Sequence, residues 1–463
     1  MKQLSKLFFY LFVCNSIFSQ QNKIKIEASL DAKKDILLIQ QEITYYNNSK
    51  TTFNNIYLHN WANSFRDRKT PLSKRFIKDY NKTLYFAKPE KLGSTKIKNL
   101  TVNFENASFS ELKNRADILD INLSKPLLPN TYVKINLTYT VKIPSAEFTG
   151  YGKLKEGYHL RFWYITPAVF DGKWELMSNL NIDDLYESAT DFDIEIDIPK
   201  DFVLESTLYQ YKTKKEKVNS YYLIGKSKTD IILSINKKKI FKTFKTKNIN
   251  VFTDIESDKL DKKTATNILN RELAFIEKVL GKYPHKEIYV DKITQRRDPV
   301  HGLSQLPDFI SPFPEDFKWD LTMFKAISRK FIENTLLFNK RKDYWFIDGL
   351  QNYLMLEYIE EFYPERKLIG SLSESWFLRS FNISKLEFND KYPLIYQFAS
   401  RRFLDQALTT PADSLSNFNR KIANRYKAGL AFRYLKGYLG EDLLNNAIQE
   451  FYQKNQSKIT NSS

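Results

Sequence analysis

The hydrophobic period of the chain changes once, near residue 250, and that change limits what it can fold into. Before it, apolar and polar residues alternate. Val133, Ile135, Leu137, Tyr139, Val141 and Ile143 share one face of the run 132–143. In 191–198, Phe192, Ile194, Ile196 and Ile198 oppose Asp191, Asp193, Glu195 and Asp197. A period of two marks half-buried antiparallel strands, and polar clusters such as 47–50 punctuate them as turns. After the change the period is helical. Ala265, Ile268, Leu269, Leu273, Ile276, Val279 and Leu280 form one stripe, and Gly281 then Pro284 end it as a helix stop. Asp320 is expected to cap a second helix, in which Phe324, Ile327, Phe331 and Thr335 recur at helical spacing. Further helices are expected over 347–362, 394–407 and 414–438. The fold class is therefore α+β and multidomain. Residues 20–250 should form an antiparallel β-sandwich-like domain, and residues 251–463 a mainly α-helical one.

The chain is long enough for both, with 463 residues of which 42% are hydrophobic and 27% charged. Only 13 Gly and 15 Pro are present, which excludes collagen-like and extended low-complexity architectures. Residues 1–19 read as a secretory signal peptide: Lys2 and Lys6 precede the apolar run 7–18, and Ser19-Gln20-Gln21 follows. A lipoprotein signal would need a small residue before Cys14, where Val13 stands. Cys14 is the only cysteine, so the mature chain would hold neither disulfides nor thiolate metal ligands. No later run has the roughly 18 apolar residues of a spanning helix. The expected location is the periplasm, the outer envelope surface or the medium.

Formal net charge is +18. The densest basic stretch, 236–247, interleaves Phe241 and Phe244 with lysines. Lysine without arginine lacks bidentate base-reading capacity, so a solvated strand edge is the better reading and no nucleic-acid partner is expected.

Several segments, in order, resemble the membrane alanyl aminopeptidase family of zinc gluzincins. The runs 43–49 and 56–65 are similar to its early strand pair and following N-x-F turn. Phe162-Trp-Tyr-Ile-Thr-Pro167 resembles its W-Y-P segment, and Leu280-Gly-Lys-Tyr-Pro284 its G-x-Y-P helix end. The resemblance covers most of 24–460 and implies a β domain followed by a thermolysin-like helical domain. It also implies an ancestral aminopeptidase reaction on peptides with zinc as cofactor. In that family H-E-x-x-H, then eighteen residues, then Glu within W-L-N-E-G supplies two imidazoles, a general base and a third ligand. Trp345-Phe-Ile-Asp348-Gly349 matches the second element with Asp for Glu. Counting back nineteen residues from Asp348 places Lys325-Ala326-Ile-Ser-Arg329 on the first, with Phe331 and Asn334 supporting the alignment. The four histidines are His59, His159, His285 and His301, so no H-x-x-x-H pair exists at any alignment.

The resemblance also places Gly302-Leu-Ser-Gln305-Leu-Pro on the family's G-x-M-E-N substrate loop, with Gln305 in place of the Glu that anchors the substrate amine. Gln keeps a hydrogen-bond acceptor but no charge. Tyr426-Lys-Ala-Gly429 is similar to the segment carrying the oxyanion-stabilising Tyr. A packing role for Tyr426 is the plainer reading. Lys325, Ala326, Arg329, Asp348 and Tyr426 are thus vestigial catalytic positions, and Gly302, Gln305 and Tyr426 a vestigial substrate groove. Neither a metal site nor bound zinc is expected. Lys325 and Arg329 are expected either to pair with Asp348 in place of the metal or to point into solvent.

The resulting expectation is a pseudopeptidase that binds peptides or an envelope protein. One alternative is a working peptide hydrolase using other groups, such as Glu357 or His301. Another is a non-functional fragment, since family members continue past the segment that ends at Ser463. His285, His301, Glu357 and Glu360 have the plainer reading of structural histidines and a solvated helix face. Oligomeric state is not legible.

Overall fold

The computed structural model describes residues 21–214, 216–257, 259–303 and 311–462. The expected signal segment 1–19 and Gln305 lie outside the described residues.

The N-terminal half is β-rich. An eight-stranded sheet runs in the order Tyr209–Lys214, Val218–Lys228, Thr190–Pro199, Asn22–Asp31, Ile36–Tyr46, Tyr132–Lys142, Ser94–Val102 and Glu105–Asn106. Asn22–Asp31 pairs parallel with Thr190–Pro199 and antiparallel with Ile36–Tyr46. Two four-stranded sheets, containing Phe53–His59 and Gly157–Arg161, contribute to the same core. The alternating residues that announced these strands are its inner face: Ile135, Leu137, Tyr139, Ile194, Ile196 and Ile198 are all buried there. The lysines of 237–239 are largely solvent-facing, and Lys242–Lys245 forms the edge of a separate three-stranded sheet. That sheet joins Lys242–Lys245 to Asn250–Thr253 and Glu287–Val290, so residue 250, the expected boundary, opens its middle strand.

The C-terminal half is helical. Eight helices are labelled in chain order: α1 (Pro71–Lys78, still in the β half), α2 (Lys262–Leu280), α3 (Lys292–Arg297), α4 (Glu315–Glu333), α5 (Tyr344–Phe362), α6 (Lys391–Arg401), α7 (Asn424–Leu439) and α8 (Glu441–Lys454). In α2 the side chain of Asp261 accepts from the backbone N–H groups of Lys263 and Thr264, capping the N-terminus. Gly281, at φ 93°, ends it. Every residue of the α2 stripe is buried. The expected cap at Asp320 is corrected by the structure: α4 starts after Pro314, with Glu315 and Asp316 in the first turn where they complement the helix dipole. Asp320 is instead buried inside α4, where Tyr358 Oη donates to it at 2.8 Å and Arg271 pairs with it. The stretch 414–438 is helical only from residue 419, where one π-type turn (Asn419–Ala423) leads into α7.

Charged contacts link the halves. Arg297 of α3 meets Asp183 at 2.6 Å and donates to Thr149 O at 2.9 Å. Arg341 meets Asp184 at 2.8 Å. The Arg75 guanidinium of α1 donates to Leu415 O at 2.8 Å. Among the described residues no helix is long and apolar enough to cross a membrane.

Candidate functional site

Helix α4 buries Phe317, Leu321, Phe324, Ile327 and Phe331 in the helical core. Lys325 and Arg329, one turn apart, lie on a different strip. Arg329 pairs with Asp348, which α5 presents with no solvent exposure. Helix α7 reaches the same carboxylate because two glycines let it pack closely against α5. A Cβ on Gly349 would stand 2.8 Å from the Ala428 Cβ, and one on Gly429 2.7 Å from the Asn352 Cβ. That approach brings Arg425 Nε to 3.0 Å from Asp348 Oδ2.

The cluster extends in both directions. Arg425 also pairs with Asp298, and its Nε lies 3.1 Å from Tyr344 Oη. Lys325 Nζ meets Asp298 at 2.7 Å and donates to Pro299 O at 2.9 Å. Arg329 additionally pairs with Glu333, and Lys340 Nζ approaches the other Glu333 oxygen at 3.4 Å. Lys325, Arg329, Lys340 and Arg425 are all buried. Burial alone would raise the Asp298 carboxyl, but Arg425, Lys325 and Arg329 outweigh it and hold it well below the usual carboxylate range. Burial likewise opposes Glu333 ionisation, and Lys340 and Arg329 outweigh it. For Lys325 burial wins, lowering its pKa despite Asp298.

Of the two expected pairings with Asp348, the structure makes the one from Arg329. Lys325 turns to Asp298 instead. Ala326 joins Lys325, Arg329, Asp298 and Gln351 around a cavity of about 20 Å³, room for about one water. Gly302 adopts φ 97°, and a Cβ there would stand 3.9 Å from Lys391 Nζ. Lys391 is buried, donates to His301 O at 2.9 Å and lies 3.5 Å from the Phe388 ring centroid. Burial, then nearby Lys325, pushes its pKa well down. Burial and Lys325 also lower His301, to about 4, so its imidazole is neutral at pH 7. Tyr426 is buried with its ring 4.5 Å from that of Tyr392, and burial pushes its phenol up.

The outlying candidates have structural partners. Glu357 meets Lys436 at 2.5 Å, and Lys436 also meets Glu441 at 2.7 Å. Glu360 pairs with Arg433. His285 Nε2 lies 3.3 Å from Asn334 O. Sequence reasoning missed Asp298, Glu333, Lys391 and Arg425. Arg425 adjoins Tyr426 and Asp298 lies just before Gly302, so proximity to the quoted motifs could have drawn attention to both. Nothing in the sequence marks Lys391.

A catalytic zinc needs three convergent His or carboxylate donors and one open position. Here three cations converge on Asp298 and Asp348, and both carboxylates are engaged by them. This donor set does not fit zinc. Among the described residues no three His, Cys, Asp or Glu side chains are grouped to hold a metal.

Against solved structures, the arrangement of β half, small sheet and helices matches an M1 zinc metallopeptidase from Deinococcus radiodurans with TM-score 0.58 and 9% identity. The match covers 96% of this chain and 89% of that one. The chain has the M1 metallopeptidase fold. A two-domain M1 zinc metallopeptidase mutant bound to L-tryptophan matches with TM-score 0.57 and 10% identity, over 96% of this chain and 89% of that one. A Deinococcus radiodurans M1 mutant bound to a Tyr-Ser-Ala substrate matches with TM-score 0.56 and 9% identity, again over 96% and 89%. No protein-family model and no curated protein matches the sequence. At these identities the M1 likeness is one of fold.

Proposed function

We propose that this chain is an exported pseudopeptidase of M1 fold. It binds a peptide, or an exposed segment of an envelope protein, beside Gly302 and Tyr426 without hydrolysing it. The observation that carries this reading is the buried cluster of Arg329, Asp348, Arg425, Asp298 and Lys325. Lys325, Arg329 and Asp348 stand at the positions that the sequence resemblance aligns with the metal ligands of such a peptidase, and there they pair with opposite charges. Divalent cations would be repelled there. A peptide ligand is supported by the fold likeness to an M1 protein that holds a Tyr-Ser-Ala substrate. Export is supported by the residue pattern of 1–21 and by a sequence with no cysteine after Cys14.

The test is zinc stoichiometry on the purified protein lacking residues 1–19, beside a chromogenic aminoacyl-amide assay with and without chelator. The expected result is less than a tenth of an equivalent of zinc and no turnover, with saturable binding of short peptides. Stoichiometric zinc with chelator-sensitive turnover would overturn the reading. The neutral imidazole of His301 beside the cluster favours one other reading, a metal-independent hydrolase. Turnover indifferent to chelator but lost in His301→Ala would establish that alternative.

A further inference from the structure

A second recess lies away from the motif-derived positions, between the two halves of the molecule. Its volume is about 620 Å³, within the range of small-molecule sites. One wall comes from the β half, around Tyr209 and the end of strand Val218–Lys228. The other comes from the helical half, where Tyr283, His285 and Tyr289 precede α3 and where Lys330 and Glu333 end α4.

The charges on these walls do not balance locally. Asp230 is engaged by Arg161 at 2.7 Å, and Glu333 is held by Arg329 and Lys340. Lys226 is paired with Asp191 at 2.9 Å. Lys228 and Lys330 are half-buried, and among the described residues their ammonium groups meet opposite charge only beyond contact distance, Lys228 from Glu287 and Lys330 from Asp291 and Glu333. Lys340 keeps only the long contact to Glu333, at 3.4 Å. Partial burial pushes the Lys228 amine down against the opposing pull of Glu287, and His285 is lowered by burial and then by Lys228. Ammonium groups partly withdrawn from water without a close counter-ion are costly, and a ligand oxyanion would relieve that cost with charge-assisted hydrogen bonds.

We propose that this interdomain recess binds an anionic small molecule, with phosphate or carboxylate groups held by Lys228, Lys330 and Lys340 and its remainder against Tyr283 and Tyr289. The site does not depend on the peptide-binding reading. Its lining includes none of Gly302, Tyr426, Asp298 and Asp348, so either assignment can fail alone.

The experiment is isothermal titration of the purified protein with inorganic pyrophosphate and, separately, with citrate, in buffer of low ionic strength. One-to-one saturable binding is expected for at least one of them, weakened tenfold or more in the double variant Lys228→Gln/Lys330→Gln. Binding by pyrophosphate alone assigns a phosphate ligand, and by citrate alone a carboxylate ligand. The control Lys113→Gln/Lys125→Gln removes the same charge from exposed positions of the β half and should bind as the parent does. Equal weakening in both double variants would show a general effect of net charge and overturn the proposal. Absence of heat with both anions at millimolar concentration would also overturn it. If the first double variant unfolds, Lys330→Gln alone carries the comparison.

Discussion

Arg425 Nε lies 3.0 Å from Oδ2 of Asp348, while Arg329 pairs with Oδ1 of the same carboxylate. Two guanidinium groups from different helices therefore enclose one fully buried carboxylate. Each needs the other elements in place, since α4 supplies Arg329, α5 supplies Asp348 and α7 supplies Arg425. The cluster is therefore a tertiary joint between three helices.

Asp348→Ala should destabilise the fold by about 3–5 kcal/mol, because it strands two buried guanidinium groups. Urea denaturation measures this directly. In Asp348→Ala/Arg425→Ala the summed cost should fall short of the two single costs, since one uncompensated charge is gone. A loss below about 1 kcal/mol for Asp348→Ala would mean that the carboxylate is not neutralising them.

The buried His59 should make the protein sensitive to mild acid. Its Nε2 accepts from the Met177 backbone N–H at 3.1 Å and its ring stacks on Trp61. Burial, then the Arg341 charge, lowers its pKa to about 3. The unfolded chain takes up this proton as pH falls through roughly 6.5, while the folded chain does not until about 3. Stability from the neutral imidazole is therefore present above pH ~6.5 and lost on the way down, by roughly 1.4 kcal/mol per pH unit. His59→Gln retains an acceptor and removes the titration. The advantage of the parent over this variant, measured by urea unfolding, should shrink steadily from pH 6.5 to pH 4.5.

Tyr426 should behave as a packing residue. Tyr426→Phe keeps the ring against Tyr392 and Leu356 and should change stability by less than about 1 kcal/mol. Tyr426→Ala should cost about 3–5 kcal/mol through the cavity it leaves. Thermal melts of the two variants decide the matter, and equal losses would show that the hydroxyl carries the stability.

Arg297→Ala should loosen the joint between the halves. The guanidinium contacts Asp183, Thr149 O and Asn181 Oδ1 across that boundary. Burial would raise the Asp183 carboxyl, but Arg297 outweighs it and brings its pKa to about 2. The pair's contribution is complete above pH ~3.9 and is lost only as pH falls toward about 2, so at neutral pH the full cost of about 2 kcal/mol for this partly exposed pair should appear. Limited proteolysis should cut near the 240–260 segment faster in this variant. An unchanged digestion pattern would mean the other interdomain pairs suffice.

The sequence by itself determined the order of strands and helices, because side-chain periods of two and of 3.6 are local properties of a chain. Val133 to Ile143 and Ala265 to Leu280 point inward as their spacing requires. It also determined, by the positions of four histidines, that no paired-imidazole motif exists. The tertiary structure decided how the charges combine. Asp320 sits at a plausible capping position in the sequence, yet Arg271, Tyr358 and Tyr363 claim it inside the core. Lys325 turns to Asp298 and leaves Asp348 to Arg329 and Arg425, a choice made by the close approach of α5 and α7 at Gly349 and Gly429. Asp298 and Arg425 are 127 positions apart, and their attraction falls so steeply with distance that only the folded chain brings it into effect.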